Sequence, residues 1–282
     1  MPDIDLATST AKTIQLHDGR ILGYAEYGQA TGKPLLYFHG HPGTRVEAKF
    51  LAEQAGHLGV RLIGMDRPGM GLSTFKANRR FLDWPADVVE LADSLHIDRF
   101  AVVGLSGGGP YALACAYKIP HRLTACGVVS GVGRIHPFLA FLSQWLPWLM
   151  MPFIRRSLQN EEQAQKTLVK AASIWVEADR KSLQVPGIKE LMAASLVEAL
   201  RPGARGAAYE GALFGRPWEF NLEQIQFPMI FLWHGELDNE IRISTARDVA
   251  RKLPQCKATY YPGEGHISVI VNHAQDIMKA LI

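Results

Sequence analysis

The chain alternates between short apolar runs and longer stretches in which apolar residues recur at helical spacing. The apolar runs are bounded by glycine, proline or polar residues and predict buried strands at 34–38, 60–65, 100–103, 125–129, 228–233 and 258–261. The intervening stretches predict helices at 45–58, 83–96, 111–118, 243–253 and 268–282. Near the N-terminus, apolar and polar residues alternate on either side of Asp18 and Gly19, which predicts a hairpin. Strand–helix alternation of this kind is typical of the α/β class, with a mostly parallel, doubly wound sheet and helices on both of its faces.

The alternation stops between residues 134 and 219. This stretch has no strand-like run and contains only helical patterns, which we expect to be broken at Pro147, Pro152, Pro186 and Pro202. We therefore predict a core formed by residues 1–133 and 220–282, and a helical cap, or lid, formed by residues 134–219. An insert at this place should lie over the carboxyl ends of the strands, where ligands bind in open α/β sheets.

Composition and charge exclude several classes of protein. With 282 residues, of which 48% are hydrophobic and 20% are charged, the chain has the composition of a soluble globular protein. The net charge is only +3 and we find no basic cluster, so nucleic acid is a poor candidate for a partner. The three cysteines are far apart in sequence, which favours reduced, buried thiols over a disulfide framework. The polar N-terminal residues do not have the pattern of a secretory signal, and we expect a cytoplasmic protein.

A serine motif follows the apolar run 100–103. Residues 104–108 read Gly-Leu-Ser-Gly-Gly, a match to G-x-S-x-G, and an alanine-rich helical stretch comes next. A strand, a sharp turn and a helix in this order would hold the Ser106 hydroxyl at the strand end in a strained backbone conformation. Only very small residues fit beside such a turn, and Gly104 and Gly108 meet that requirement. The simpler alternative is a glycine-rich turn in which the serine has no catalytic role. Residues elsewhere in the chain are needed to distinguish these two interpretations.

Two later segments supply the partners that a nucleophilic serine requires, a base and a group that orients the base. Asp238 follows the strand predicted at 228–233, and His266 follows the strand predicted at 258–261. Both residues should therefore lie at the same edge of the sheet as Ser106. We predict that Ser106 is the nucleophile, that His266 is the general base, and that Asp238 orients and stabilises the imidazole.

Two other carboxylates near strand ends have simpler interpretations. Asp66 precedes the serine in the chain, and we interpret it with Arg67 as an ion pair that stabilises a turn. Glu264 is interpreted as a solvated loop carboxylate that could replace Asp238 only if the loops were unusually placed.

The negative oxygen that forms during acyl transfer needs hydrogen-bond donors of its own. We predict that the backbone N–H groups of Gly107 and His41 form this oxyanion hole, because His41 lies in the loop after the strand at 34–38. His39 should support the same loop by hydrogen bonding. The role of the His41 side chain stays open.

Taken together, these motifs resemble the α/β-hydrolase superfamily over nearly the whole chain. The resemblance rests on five short sequences in the family's order: His-Gly-His-Pro-Gly at 39–43, Asp-Arg-Pro-Gly-Met-Gly at 66–71, Gly-Leu-Ser-Gly-Gly at 104–108, His-Gly-Glu-Leu-Asp at 234–238, and Gly-His at 265–266. The chain is similar to the bacterial and fungal branch that holds proline iminopeptidase-like and haloperoxidase-like enzymes. Proline iminopeptidases usually carry a second glycine where this chain has His41 and a tryptophan where it has Gly107. The dehalogenases and epoxide hydrolases of the superfamily use an aspartate nucleophile, and Ser106 argues against both.

The stretch 138–154 is apolar on all sides. A membrane-spanning helix needs about 20 uninterrupted apolar residues, and the prolines within this stretch argue against one. We favour a lid whose apolar side chains wall the substrate pocket, formed by Phe138, Phe141, Trp145 and Trp148. The alternatives are packing inside the lid, and an interface with a membrane surface or with a second subunit in a homodimer.

These observations predict a serine hydrolase that cleaves a small, largely apolar carboxylic ester through an acyl-enzyme. The expected partner is a small-molecule substrate, and neither a metal nor an organic cofactor is implied. An aminopeptidase, thioesterase, C–C hydrolase or perhydrolase could use the same triad. A binding or receptor protein with this fold and little turnover is the alternative from a different class.

Overall fold

The computed structural model describes residues 11–133 and 137–282, with the backbone alone for residues 137–144 and 147. The N-terminal segment and the first residues of the predicted cap lie outside this description. Within the described residues, the core is an eight-stranded sheet. Its strands are β1 (Ala11–Gln15), β2 (Ile21–Gly28), β3 (Lys33–Phe38), β4 (Val60–Met65), β5 (Phe100–Leu105), β6 (Leu123–Val129), β7 (Ile230–Gly235) and β8 (Lys257–Tyr261).

The strands lie in the order β1-β2-β4-β3-β5-β6-β7-β8. The pairs β1–β2 and β2–β4 are antiparallel, and the remaining neighbours are parallel. The predicted hairpin is present at β1–β2, where Gly19 adopts a φ of 82° that favours glycine. Strand β5 is buried at every position, as expected of a central parallel strand covered on both faces, and this accounts for its unbroken apolar run.

Helices cover both faces of the sheet, as the alternation predicted. The helices of the core are α1 (Ala52–Leu58), α2 (Trp84–Ser94), α3 (Gly109–Lys118), α9 (Ile243–Lys252), α10 (Ser268–Asn272) and α11 (Ala274–Leu281). Buried side chains of α2, α3 and α9 form one apolar core with the sheet, and those of α1, α10 and α11 form the other. Successive residues of β3 alternate between these two cores, because neighbouring side chains of a strand point to opposite faces. The α/β fold class is therefore confirmed.

Between β6 and β7 the described chain is helical, as expected for the cap. Its helices are α4 (Pro137–Ser157), α5 (Glu161–Ala171), α6 (Glu177–Ser182), α7 (Ile188–Ala199) and α8 (Arg205–Phe214). The predicted breaks at Pro186 and Pro202 fall between helices. The predicted breaks at Pro147 and Pro152 are wrong, because α4 continues through both residues while it packs along α8. Among the described residues, no helix combines the length and the apolar character that crossing a membrane requires.

Other differences from the predicted elements are local. Residues Arg45–Leu51 form a 3₁₀ helix before α1, and the Thr44 hydroxyl accepts the Val46 N–H at its start. The predicted helix at 268–282 is interrupted at His273, which separates α10 from α11. The three cysteines are free thiols; Cys115 and Cys126 are buried, and Cys256 is half-buried.

A buried network of ion pairs connects the cap to the core. The carboxylate of Glu210 on α8 accepts hydrogen bonds from Arg67 at 2.7 Å and from Arg79 at 2.8 Å, and all three side chains are almost completely buried. Burial alone would raise the pKa of Glu210, but the charges of the two arginines lower it to about 2. Removing one partner of such a network leaves a buried charge uncompensated, so the contact specifies how the cap sits on the core.

The interpretation of Asp66 and Arg67 as an ion pair with each other is wrong. Asp66 instead pairs with Arg45 at 2.7 Å, and its carboxylate also accepts the N–H groups of Arg45 and Leu72. Arg67 turns the other way, toward the cap. The two neighbours diverge because each is buried against an oppositely charged partner that is distant in sequence.

Candidate active site

Ser106 occupies the tight turn between β5 and α3. Its φ is 50°, a conformation that is uncommon for residues other than glycine. A Cβ atom on Gly104 would lie 2.2 Å from the carbonyl oxygen of Gly108, and one on Gly108 would lie 2.1 Å from the carbonyl oxygen of Phe38. The predicted strain at the serine and the predicted need for glycine at both flanking positions are therefore confirmed.

Asp238 and His266 lie in the loops that follow the adjacent strands β7 and β8. The Nδ1 atom of His266 is 2.7 Å from Oδ2 of Asp238. The other carboxylate oxygen, Oδ1, accepts the backbone N–H groups of Glu240 at 2.9 Å and Ile241 at 2.8 Å. The carboxylate is thus held by its own loop in a fixed orientation toward the imidazole. The hydrogen bond between Asp238 and His266 is the one that the sequence predicted.

Negatively charged neighbours of His266 shift the pKa of its imidazole. Burial lowers the pKa of His266, but the hydrogen bond and the negative charge of Asp238 outweigh burial, so the net shift is upward. Glu240 and Asp179 add smaller contributions in the same direction. The same negative charges would stabilise the imidazolium form of His266.

The two alternative carboxylates are engaged elsewhere. Glu264 accepts hydrogen bonds from Asn272 at 3.1 Å and lies 3.2 Å from Nε2 of His273. Asp66 is bound to Arg45, as described above. Neither occupies the place at Nδ1 of His266 that Asp238 fills.

The loop after β3 carries the predicted oxyanion donor His41. A Cβ atom on Gly107 would lie 3.5 Å from the backbone nitrogen of His41, so the two predicted donors are neighbours beside Ser106. The loop carbonyls are already occupied: Arg67 donates to the oxygen of His39 at 2.5 Å and to that of Gly40 at 2.8 Å.

His39 supports this loop, as predicted. Its Nε2 atom accepts the Arg67 N–H at 3.2 Å, which requires that Nδ1 donates to the carbonyl of Gly40 at 2.7 Å. Burial and the nearby charge of Arg67 lower the pKa of His39 well below its usual value. His39 is therefore a neutral structural residue.

The His41 side chain is also neutral, because burial lowers its pKa to about 4. Its ring packs edge-to-face against Phe214 with centroids 5.4 Å apart.

Ser106 and His266 open into a single cavity of about 160 Å³. Four residues of the cap form part of its wall: Leu168 of α5, Trp175, and Met192 and Leu196 of α7. The remaining lining residues come from the core: Gly40, His41, Pro42, Glu47, Phe50, Leu105, Glu240 and Ile267. Among the described residues that line the cavity there is no lysine or arginine.

The predicted pocket wall needs a correction. Trp145 and Trp148 do not line this cavity, and their side chains are 70% and 41% exposed. Met151 and Ile154 of α4, and Leu158 directly after it, pack with α8 in a small apolar cluster. Trp148 instead contacts Tyr209 of α8 edge-on, with ring centroids 6.4 Å apart. The side chains of Phe138 and Phe141 lie outside the described residues.

Glu47 is a site residue that the sequence analysis missed. Its Oε2 atom accepts the Gly40 N–H at 2.6 Å, and its Oε1 atom lies 3.3 Å from the Ser195 hydroxyl of the cap. Burial raises the pKa of Glu47 to about 7. In sequence, Thr44 and Glu47 have the spacing of a local helix cap, which conceals a role in the cavity. Thr44 does cap the 3₁₀ helix through its hydroxyl, but its N–H donates to Ser195, and the Glu47 carboxylate accepts the Gly40 N–H instead of that of Thr44.

Glu240 was also missed, although it is only two residues beyond Asp238. Its Oε2 atom lies 4.0 Å from Nε2 of His266, and burial raises the pKa of its carboxyl group. Both glutamates therefore place acidic groups at the cavity beside the serine and the histidine.

Comparison with known proteins shows the family to which the chain belongs. Residues 35–280 match the family described as "Alpha/beta hydrolase family". The chain therefore belongs to the alpha/beta hydrolase family, as the sequence motifs suggested.

Individual relatives are distant. A proline iminopeptidase of Xanthomonas citri is 27% identical over 187 residues, which cover 58% of this chain and 59% of that protein, so the match spans under two thirds of the relative. A 2-hydroxymuconate semialdehyde hydrolase of Pseudomonas putida is 25% identical over 260 residues, covering 88% of this chain and 85% of that protein. Among solved structures, a thermophilic esterase from Thermogutta terrifontis superposes with a TM-score of 0.73 at 19% identity, covering 96% of this chain and 99% of that one. At this identity the superposition shows the fold alone.

Proposed function

We propose that the protein is a serine hydrolase that cleaves a small, largely apolar carboxylic ester. The observation that carries the proposal is the 2.7 Å contact between His266 Nδ1 and Asp238 Oδ2, with His266 opening into the same cavity as the strained Ser106. A base that is oriented in this way and a serine held at a strand end are the parts that acyl transfer requires.

In the proposed first half-reaction, the Ser106 oxygen attacks the ester carbonyl carbon while His266 Nε2 takes its proton. The carbonyl oxygen becomes negative and is stabilised by the N–H groups of His41 and Gly107. His266 then returns the proton to the departing alkoxide, so an alcohol leaves and an acyl group stays on Ser106. Asp238 keeps Nδ1 protonated and stabilises the imidazolium in between.

In the second half-reaction, His266 takes a proton from water, and the resulting nucleophile attacks the acyl carbon. Collapse of the tetrahedral intermediate releases the carboxylic acid, and His266 returns its proton to Ser106. The cavity of about 160 Å³ suits a short acyl group, and Leu168, Met192 and Leu196 offer it apolar surface.

A second candidate, an aminopeptidase, is favoured by Glu47 and Glu240. Acidic side chains beside the histidine, and no cation among the described lining residues, suit a substrate with an ammonium group. The relative from Xanthomonas citri carries the name of such an enzyme.

A substrate panel separates the two candidates. We expect the purified protein to hydrolyse short-chain p-nitrophenyl esters with a kcat/KM well above that for aminoacyl p-nitroanilides. The Glu240→Gln variant should leave ester hydrolysis nearly unchanged, and it should reduce the hydrolysis of aminoacyl substrates if those are the true ones. If the unmodified protein preferred aminoacyl p-nitroanilides and Glu240→Gln lost this preference, the protein would be an aminopeptidase instead.

A further inference from the structure

Asp179 of the cap helix α6 reaches across to the loop that carries His266. Its Oδ2 atom accepts the backbone N–H of His266 at 2.8 Å. Its Oδ1 atom accepts the N–H groups of Ile267 at 2.9 Å and of Ser268 at 2.8 Å. One carboxylate, only 1% exposed, therefore binds three consecutive peptide groups that begin at the histidine.

The His266 peptide is held on its other side as well. The hydroxyl of Ser130, which follows β6, donates to the carbonyl oxygen of His266 at 2.8 Å. With the N–H group bound to the cap and the carbonyl bound to the core, the backbone of His266 has little freedom to rotate. The direction of its imidazole is fixed by these contacts together with that of Asp238.

Gly265 makes the close approach of the cap feasible. A Cβ atom at this position would lie 2.2 Å from Oδ2 of Asp179 and 2.4 Å from Cγ2 of Val176. A larger residue would push the helix away from the loop. The glycine before the histidine is therefore explained by a contact with the cap.

The same part of the cap touches the two other components of the site. The carbonyl oxygen of Ile174 accepts a hydrogen bond at 2.8 Å from the side chain of Asn239, the neighbour of Asp238. Trp175 lines the cavity that contains Ser106. Ile174, Trp175 and Asp179 thus contact the acid loop, the substrate cavity and the histidine loop respectively.

We propose that Asp179 is a positioning residue through which the cap holds His266 in its catalytic orientation. The proposal rests on the function proposed above, because it needs His266 to act on Ser106. In this arrangement the cap does more than wall the cavity: it completes the catalytic geometry, and Trp175 places the substrate against the same segment. A cap that is displaced would loosen the histidine loop at the same time as it opens the cavity.

The kinetic test compares three variants. We expect Asp179→Ala to lower kcat roughly a hundredfold, the loss that a misplacement of about 1 Å can cause, with a smaller change in KM. Asp179→Asn keeps one accepting oxygen and should recover part of the loss. Glu177→Ala removes an exposed carboxylate from the same helix, where it pairs with Lys181, and should keep the kcat of the unmodified protein.

The pH profile supplies a readout that a purely structural role would not move. The charged or titratable groups around His266 are Asp238, Glu240, Asp179, His234 and Glu47. Loss of the Asp179 charge removes one contribution that favours the imidazolium, so the acidic limb of kcat/KM should move to lower pH in Asp179→Asn. The Glu177→Ala profile should not move.

Hydrogen exchange tests the positioning without any substrate. The amides of His266, Ile267 and Ser268 should exchange faster in Asp179→Ala and Asp179→Asn than in the unmodified protein, while those of β5 stay protected. Slow exchange at all three amides together with kcat within twofold of the unmodified protein would overturn the proposal, as would an unmoved pH profile in both variants. If Ser106→Ala retained hydrolysis, the proposed function would fail instead, whatever the exchange result.

Discussion

His266 Nδ1 lies 2.7 Å from Oδ2 of Asp238, and Oδ1 of the same carboxylate accepts the N–H of Ile241 at 2.8 Å. Both oxygens are thus engaged, one with the imidazole and one with the loop that carries the carboxylate. We expect Asp238→Asn to lower kcat by about 10⁴-fold, because an amide favours the wrong imidazole tautomer. Steady-state ester hydrolysis measures this loss. Glu264→Gln is the matched control, since Glu264 binds Asn272 and His273 instead, and near-normal activity in Asp238→Asn would refute the assignment.

Glu47 should make the stability of the protein depend on pH. Burial raises the pKa of Glu47 to about 7 from its ordinary value of 4.5, so the folded state binds more protons than the unfolded state between these two pH values. The contribution to the free energy of unfolding is fully present below about pH 4.5 and is lost as the pH rises to about 7. The stability that is lost across this pH range corresponds to about 3 kcal/mol.

Glu47→Gln removes this titration while it keeps an oxygen that can accept the Gly40 N–H. Urea unfolding at several pH values should show that the variant gains stability relative to the unmodified protein between pH 5 and pH 8. A constant difference over this range would mean that Glu47 does not titrate there.

The buried Glu210 should be essential for the junction of cap and core. Glu210→Ala leaves Arg67 and Arg79 buried without their shared carboxylate, and we expect a loss of roughly 3–5 kcal/mol. Thermal unfolding measures the effect as a lower Tm. Glu162→Ala removes an exposed carboxylate of the cap that pairs with Lys166, and its Tm should stay unchanged. Equal Tm values for the two variants would contradict the buried network.

The cap wall should set the length of the acyl group that the enzyme accepts. Leu196→Ala enlarges the cavity, and the preferred p-nitrophenyl ester should become longer, with each methylene changing discrimination by about 1–3 kcal/mol. Leu149→Ala makes the same chemical change on α4 at a side chain that is 64% exposed, and its chain-length profile should match that of the unmodified protein. If only Leu149→Ala shifted the chain-length profile, α4 rather than α7 would form the wall that contacts the acyl group.

The sequence predicted most of the core because local patterns determine it. The apolar run at β5, the glycines beside Ser106 and the positions of Asp238 and His266 after neighbouring strands all follow from strand periodicity and turn sterics. Their placement at one sheet edge then follows from the parallel topology. The acidic partner of His266 could be chosen correctly for the same reason.

The errors concern contacts between segments that are distant in sequence. The residues around Arg67 do not reveal whether its partner in an ion pair is Asp66 or Glu210. The spacing of Thr44 and Glu47 is typical of a helix cap and does not indicate that Glu47 lines a cavity. The packing of α4 on α8 depends on residues that are distant in sequence, so periodicity alone did not reveal that Trp145 and Trp148 are largely exposed and lie outside the cavity wall. Asp179 gave no signal at all, because its three partners are backbone N–H groups 87 to 89 residues away.

Active-site labelling combined with hydrolysis tests whether Ser106 is the nucleophile. The purified protein is treated with a fluorophosphonate, the modified residue is identified by peptide mass spectrometry, and ester turnover is measured for the unmodified protein and for Ser106→Ala. We predict that the label attaches to Ser106 alone, and that Ser106→Ala folds normally but loses several powers of ten in kcat. Labelling at another residue, no labelling, or more than about a tenth of the original turnover in Ser106→Ala would contradict the account.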